Sequence, residues 1–215
     1  MAPDLPMIAY QLHTQRLCLR CWAPDDAPAV QQAVDESLEY LRPWMPWVER
    51  EPLELAERVR MLRRFRSLFD RGEDFLFAIC SRDRHELLGG LGLHPRVGAG
   101  GLEIGYWVRL DAAGHGIATE AAAAATRLGL SLLGADRIEI RVEPTNLRSA
   151  RIPMKLGFTH ETTLRRRLAF HDTYRDAMIW TLFADEFPGS AAAQVQAQAF
   201  DALGAGISLE TIASG

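Results

Sequence analysis

Apolar residues recur with two different spacings along this chain, and the spacing changes at Gly72. Ahead of that glycine the pattern predicts a strand over residues 16–22, then a helix reaching about Ser37 that Pro24, Asp25 and Asp26 open with N-cap chemistry. A second helix over residues 52–69 carries Leu55, Val59, Leu62 and Phe69 at helical spacing, with arginines around the rest of its circumference. Beyond Gly72 the runs shorten. Residues 75–80, 87–93 and 102–108, separated by polar or glycine-rich turns, predict an antiparallel meander. A helix over residues 117–133 follows and ends at Gly134. Next come a strand at 137–143, a short helix at 149–156, and strands at 158–164 and 177–183. Residues 10–187 therefore read as one folded unit. The remainder, rich in alanine, glutamine, glycine and serine, reads as a mobile or loosely helical tail. Between the first two helices, Tyr40, Trp44 and Trp47 sit on a segment broken by Pro43 and Pro46. Three aromatic rings on a loop must plug a core or wall a pocket, because solvating them is costly.

Composition narrows the class. With 215 residues, 48% of them hydrophobic, the chain can bury a substantial core as one domain. A formal charge of −4 provides no global attraction to nucleic acid or to an anionic membrane. Arg63, Arg64 and Arg66, and the run Arg165 to Arg167, read as solvated surface. The three cysteines are an odd number, which suits a reducing compartment, and the cytoplasm is the expected location. Cys18 and Cys21 have metal-site spacing, but on a strand residues three apart point to opposite faces, and no second cysteine or histidine pair completes a site. No metal is expected. The N-terminus lacks the basic flank and apolar core of a leader, and no apolar run is long enough to span a bilayer.

The most informative stretch is Glu103-Ile104-Gly105-Tyr106-Trp107-Val108 followed by Gly114-His115-Gly116-Ile117-Ala118-Thr119-Glu120. It reads as a strand, a turn and a glycine-rich lead-in to a helix. Such a lead-in leaves backbone N–H groups unpaired at the positive end of the helix dipole, and glycine lets a phosphate approach them. The plain alternative is a tight strand-to-helix connection.

These motifs, with Leu41-Arg42-Pro43-Trp44-Met45-Pro46-Trp47 before them and Asn146, Ser149 and Lys155-Leu156-Gly157-Phe158 after them, resemble the GCN5-related N-acetyltransferase superfamily. Within it they resemble the ribosomal-protein alanine N-acetyltransferase-like branch. The resemblance implies an α/β (α+β) fold, with a mostly antiparallel mixed sheet splayed between its fourth and fifth strands and helices on both faces. It implies an acyl-CoA-dependent N-acyltransferase, with acetyl-CoA or another short acyl-CoA as cosubstrate and a peptide N-terminus or small molecule as amine acceptor. Neither nucleic acid nor membrane is an expected partner, and homo-oligomerisation stays open. The family's loop pattern, Gln/Arg-x-x-Gly-x-Gly/Ala, falls on Ala113, Gly116 and Ala118, so alanine stands where a polar side chain is usual. By the same resemblance Trp107, Val108 and Arg109 border the pantetheine slot, while Asn146 and Ser149 face it from the other side. As a plain alternative, Asn146 caps a helix.

Acyl transfer to an amine needs a neutral nucleophile, a polarised thioester and a proton for the departing thiolate. An α-amino group near pKa 7.7–8.0 is roughly one-tenth neutral at pH 7, whereas a lysine is less than about one part in a thousand. Glu103, on the strand expected to border the acceptor site, is the candidate base, directly or through water. A backbone N–H near Val108 would polarise the carbonyl, Ser149 would serve the sulfur, and Tyr174 is the reserve. Tyr40, Trp44, Trp47 and His94 are expected to line the acceptor site. His94, His115 and His171 read as loop or surface residues rather than bases. Two other readings compete. One is a Rossmann-type oxidoreductase, against which stand Thr119 and the missing βαβ alternation. The other is an acyl-CoA-binding scaffold without catalysis.

Overall fold

The structure, a computed structural model, describes residues 8–209. The N-terminal residues read above for a leader, and tail residues 210–215, lie outside the described residues. The order of elements is β1 (Gln11–His13), β2 (Leu17–Cys21), α1 (Ala27–Asp35), α2 (Leu38–Leu41), α3 (Leu55–Asp70), β3 (Phe75–Ser81), β4 (Leu87–His94) and β5 (Gly101–Val108). Then come α4 (Ile117–Ser131), β6 (Arg137–Val142), α5 (Leu147–Leu156), β7 (Thr159–Phe170), β8 (Thr173–Phe183), β9 (Gln198–Phe200) and β10 (Gly206–Ile207). All ten strands join one sheet in the order β10-β9-β1-β2-β3-β4-β5-β6-β8-β7. Every pairing is antiparallel except that of β5 with β6.

Strand alternation divides the core between two faces. On β3, Phe75, Phe77 and Ile79 join the cluster under α4, whereas Ala78 and Cys80 join the cluster under α1 and α3. Cys18 and Cys21 obey the same rule and fall in different clusters. All three cysteines are buried free thiols. Helix α4 buries Ala121 to Ala125 completely, because it is enclosed by the sheet on one side and by α5 and the segment after residue 187 on others. Side chains this small bring the helix close to the strands at little conformational cost.

Three expectations change. Helix α3 does not bury Leu55, which is 49% exposed; its inward positions are Arg58, Leu62 and Phe69. Helical spacing at 58, 62 and 69 fits as well as the apolar stripe, and an arginine occupies the first place because Glu51 meets it there. The segment after residue 187, expected to be mobile or loosely helical, supplies β9 and β10 instead. β9 pairs with β1, another strand too short to be read from periodicity. Arg127 of α4 fastens this segment, donating to the carbonyl oxygen of Ala193 at 2.6 Å, with Phe187 against its guanidinium. Finally, β7 and β8 are longer than predicted and form a hairpin whose tip reaches the aromatic loop. Arg175 of β8 donates to the Pro43 carbonyl oxygen at 2.7 Å and to Glu143 at 2.6 Å, and His171 pairs with Glu49.

Candidate active site

The splay predicted between the fourth and fifth strands lies between β5 and β6, one number later because β1 precedes them. The two strands pair only at Gly101–Arg137, Leu102–Ile138 and Glu103–Glu139. On its other side β5 stays paired with β4 as far as Val108, and the Arg109 N–H donates to Leu88. Antiparallel pairing sends alternate residues' backbone groups to opposite sides. With residue 109 bonded toward β4, the backbone groups of Ile104, Tyr106 and Val108 point toward β6, which has already diverged.

A cleft of about 830 Å³ opens at this divergence. Its floor is Tyr106, Trp107 and Val108; Gly114, Gly116 and Ile117 to Thr119 close one end; Asn146 and Ser149 of α5 form a wall. Tyr40, Pro43, Trp44 and Met45 stand at the opposite rim. Gly114 and Gly116 take φ of +83° and +80°, the left-handed region that glycine enters without penalty. This turn aims the backbone before α4 so that the helix starts abruptly. Its first internal hydrogen bond runs from Glu120 N–H to the Gly116 carbonyl, leaving the preceding N–H groups without helical partners. Arg16 braces the turn by donating to the His115 carbonyl at 2.9 Å and to Glu120 at 2.6 Å.

Most of the expected coenzyme residues meet in this cleft, and four of them call for a qualification. The Ala113 N–H is spent on the Leu110 carbonyl, so only its methyl and carbonyl face the space. Arg109 turns its guanidinium to Asp111, Glu86 and the Leu87 carbonyl, and His115 is exposed beside the turn rather than lining the cleft. Asn146 does cap α5, accepting the Ser149 N–H at 3.1 Å, while it also lines the cleft.

The catalytic candidates separate. Ser149 lies in the cleft, and its hydroxyl meets that of Tyr106 at 3.0 Å. Burial pushes the Tyr106 phenol well above its usual range, so it stays protonated and able to donate. Glu103 is buried, with Oε1 accepting from Arg96 at 2.6 Å and Oε2 facing Arg141 at 3.6 Å. Tyr174 is 65% exposed near the hairpin tip and does not line the cleft. Of the acceptor candidates, Tyr40 and Trp44 line the rim, while Trp47 packs edge-on to Trp107 at 6.0 Å between ring centroids. His94 does not line the cleft; it lies on the same face of the sheet as Trp107, with Nδ1 2.7 Å from Asp74.

Sequence reading missed Tyr106 as a site residue, and it missed Arg148, Arg151 and Lys155, exposed cations of α5 along the cleft wall. Their i, i+3 and i+7 spacing on one helix face was the available signal.

The comparisons with known proteins agree with this geometry. The signature described as Acetyltransferase (GNAT) domain matches residues 16–159. The Bacillus subtilis N-acetyltransferase YoaA is 29% identical over 174 residues, covering 80% of this chain and 95% of that protein. The Bacillus licheniformis N-acetyltransferase p20 is 27% identical, covering 83% and 98%. Among solved structures, Mycobacterium smegmatis RimJ in complex with CoA-disulfide superposes with a TM-score of 0.76 at 28% identity, covering 90% of this chain and 95% of that one. The family match spans β2 to the start of β7 and so takes in the strand, glycine turn and helix that frame the cleft; this chain belongs to the GNAT family of N-acetyltransferases.

Proposed function

We propose that this enzyme moves an acetyl group from acetyl-CoA to the α-amine of a protein or peptide N-terminus. The observation that carries the reading is the joining, in one cleft, of unpaired β5 backbone to the N–H-rich start of α4. A pyrophosphate suits the amides at residues 116–119, and Arg148, Arg151 and Lys155 add positive charge along the wall. Pantetheine amides would pair with the free groups of β5 as an added strand does. The thioester then comes to the Val108 N–H, which withdraws charge from its carbonyl. Ser149, with its hydroxyl oriented by the Tyr106 phenol, meets the sulfur as negative charge gathers there. An N-terminal acceptor is favoured by its larger neutral fraction near pH 7 and by the likeness to a RimJ protein at 28% identity. The free thiols fit a reducing, cytoplasmic setting.

The test is incubation with acetyl-, succinyl- and other short acyl-CoA donors against peptides with free N-termini, lysine peptides and small amines, with thiol release as readout. Fastest release is expected with acetyl-CoA and an N-terminal peptide. Tight coenzyme binding without release for any amine would leave only the scaffold reading. Ser149→Ala is expected to lower kcat by about tenfold to a hundredfold with little change in acetyl-CoA affinity. Loss of affinity with unchanged kcat would make Ser149 a binding residue instead.

A further inference from the structure

The base assigned from the sequence, Glu103, is held by two guanidinium groups, whereas a second group on the same face is free. His94 ends β4 opposite Glu103, and both side chains rise from the face that carries Trp107 and the aromatic loop. Its Nδ1 meets Asp74 Oδ1 at 2.7 Å, on the turn ahead of β3. An ionised carboxylate only accepts, so in the neutral imidazole this contact puts the proton on Nδ1 and leaves the Nε2 lone pair free. Among the described residues Nε2 has no hydrogen-bond partner.

The ring lies where glycines make room for it. A Cβ on Gly92 would stand 2.3 Å from Nε2, and a Cβ on Gly105 would stand 3.7 Å from it. Gly105 is past the last β5 residue paired with β6, so Nε2 sits over the start of the splay. Along the strand it is about 10 Å from the Val108 N–H, a span that an amine and one water fill. The charged groups facing this position are Asp74, Glu103, and the Arg96 and Arg141 that hold Glu103.

We propose that His94, oriented by Asp74, is the catalytic base that deprotonates the acceptor amine. The inference rests on the acetyltransferase reading above. One proton of the ammonium passes to Nε2, directly or through water, and then to solvent. The freed nitrogen pair forms the N–C bond while the carbonyl π pair moves to oxygen. Collapse of that adduct breaks C–S, and the second nitrogen proton ends on sulfur. Asp74 acts through His94 as a positioning residue, and the Arg96–Glu103–Arg141 ion pairs frame the site.

The experiment measures kcat/KM against pH for the full-length protein with acetyl-CoA and two N-terminal peptides whose amines differ in pKa. A limb that moves with the peptide belongs to the amine; a limb that stays belongs to the enzyme. His94→Gln is expected to abolish the fixed limb and lower kcat/KM by about a hundredfold with unchanged acetyl-CoA affinity. Added imidazole is expected to restore part of the rate in His94→Ala. Asp74→Asn should lower the rate about tenfold, and Asp74→Glu should recover part of the loss. A His94→Gln protein with wild-type rate and profile overturns the proposal, as does loss of the limb in Glu103→Gln instead. Absence of turnover in the wild-type protein overturns the acetyltransferase reading, and this inference with it.

Discussion

Gly116→Val is expected to raise the acetyl-CoA dissociation constant at least tenfold, or about 1.4 kcal/mol, in a protein that still folds. Two effects add. Gly116 has φ of +80°, where a β-branched residue is strained by about 1–2 kcal/mol, so the turn shifts toward another conformation and turns its amides away. The new side chain also meets Arg16, whose NH2 lies 3.3 Å from the Cβ position, and displaces the brace on the His115 carbonyl. Gly114→Ala is the control. Its φ is +83° but nothing lies within 4 Å of the added atom, so only the strain operates and a smaller loss is expected. Titration of each purified variant with acetyl-CoA, after its circular dichroism is shown to match wild type, decides the matter. Undiminished affinity in folded Gly116→Val would mean that the pyrophosphate binds elsewhere.

Arg58→Ala is expected to cost about 3–5 kcal/mol of stability, the largest effect of any single change considered. The side chains of Arg58 and Glu51 are both 1% exposed, and the guanidinium fork meets the carboxylate at 2.9 and 2.6 Å. Removing the arginine leaves a buried carboxylate with little besides the Leu53 N–H, at 3.0 Å, to hold it. For a chain of this size that loss lowers Tm by roughly 6–20 °C. Replacing both partners at once, Arg58→Met with Glu51→Leu, should recover most of the stability, since the cost lies in the uncompensated charge. Urea unfolding of the two variants provides the comparison, and a loss under 1 kcal/mol in Arg58→Ala would contradict the burial. The pair also bears on function. Glu51 follows the turn that carries Trp47, so Arg58 ties the acceptor loop to α3, and survivors of Arg58→Ala should show a raised acceptor KM before any change in coenzyme affinity.

Local pattern was enough for much of the scaffold. The strands of the meander, helix α4, which ends at Ser131 a little short of Gly134, the opposed faces of Cys18 and Cys21, and the glycine turn at 114–116 were all legible, because strand alternation, helix periodicity and left-handed glycines act within a few residues. The resemblance added the splay, which no periodicity reports. Short or polar elements escaped. β1 and β9 have three residues each, too few for a period, and each is stabilised by the other across 185 to 189 positions of sequence, as in the His13–Gln198 and Gln11–Phe200 pairs.

The roles of the charged side chains lay beyond the sequence, since an ionisable group takes its character from neighbours that folding brings to it. Leu55 fits a hydrophobic stripe and Arg58 a solvated face, yet Glu51 reverses their places. Glu103 reads as a base until Arg96 and Arg141 close on it from a loop and from β6. His94 reads as a loop residue until Asp74, twenty residues earlier, orients its ring over glycines of two strands. Backbone periodicity, turn chemistry and the glycine lead-in are written within short windows, so the sequence by itself determined the longer elements and the left-handed glycine turn that opens α4. The ion pairs, the β7–β8 hairpin against the aromatic loop, and the partners that meet Glu103 and His94 depend on contacts between distant segments, and those only the tertiary structure decided.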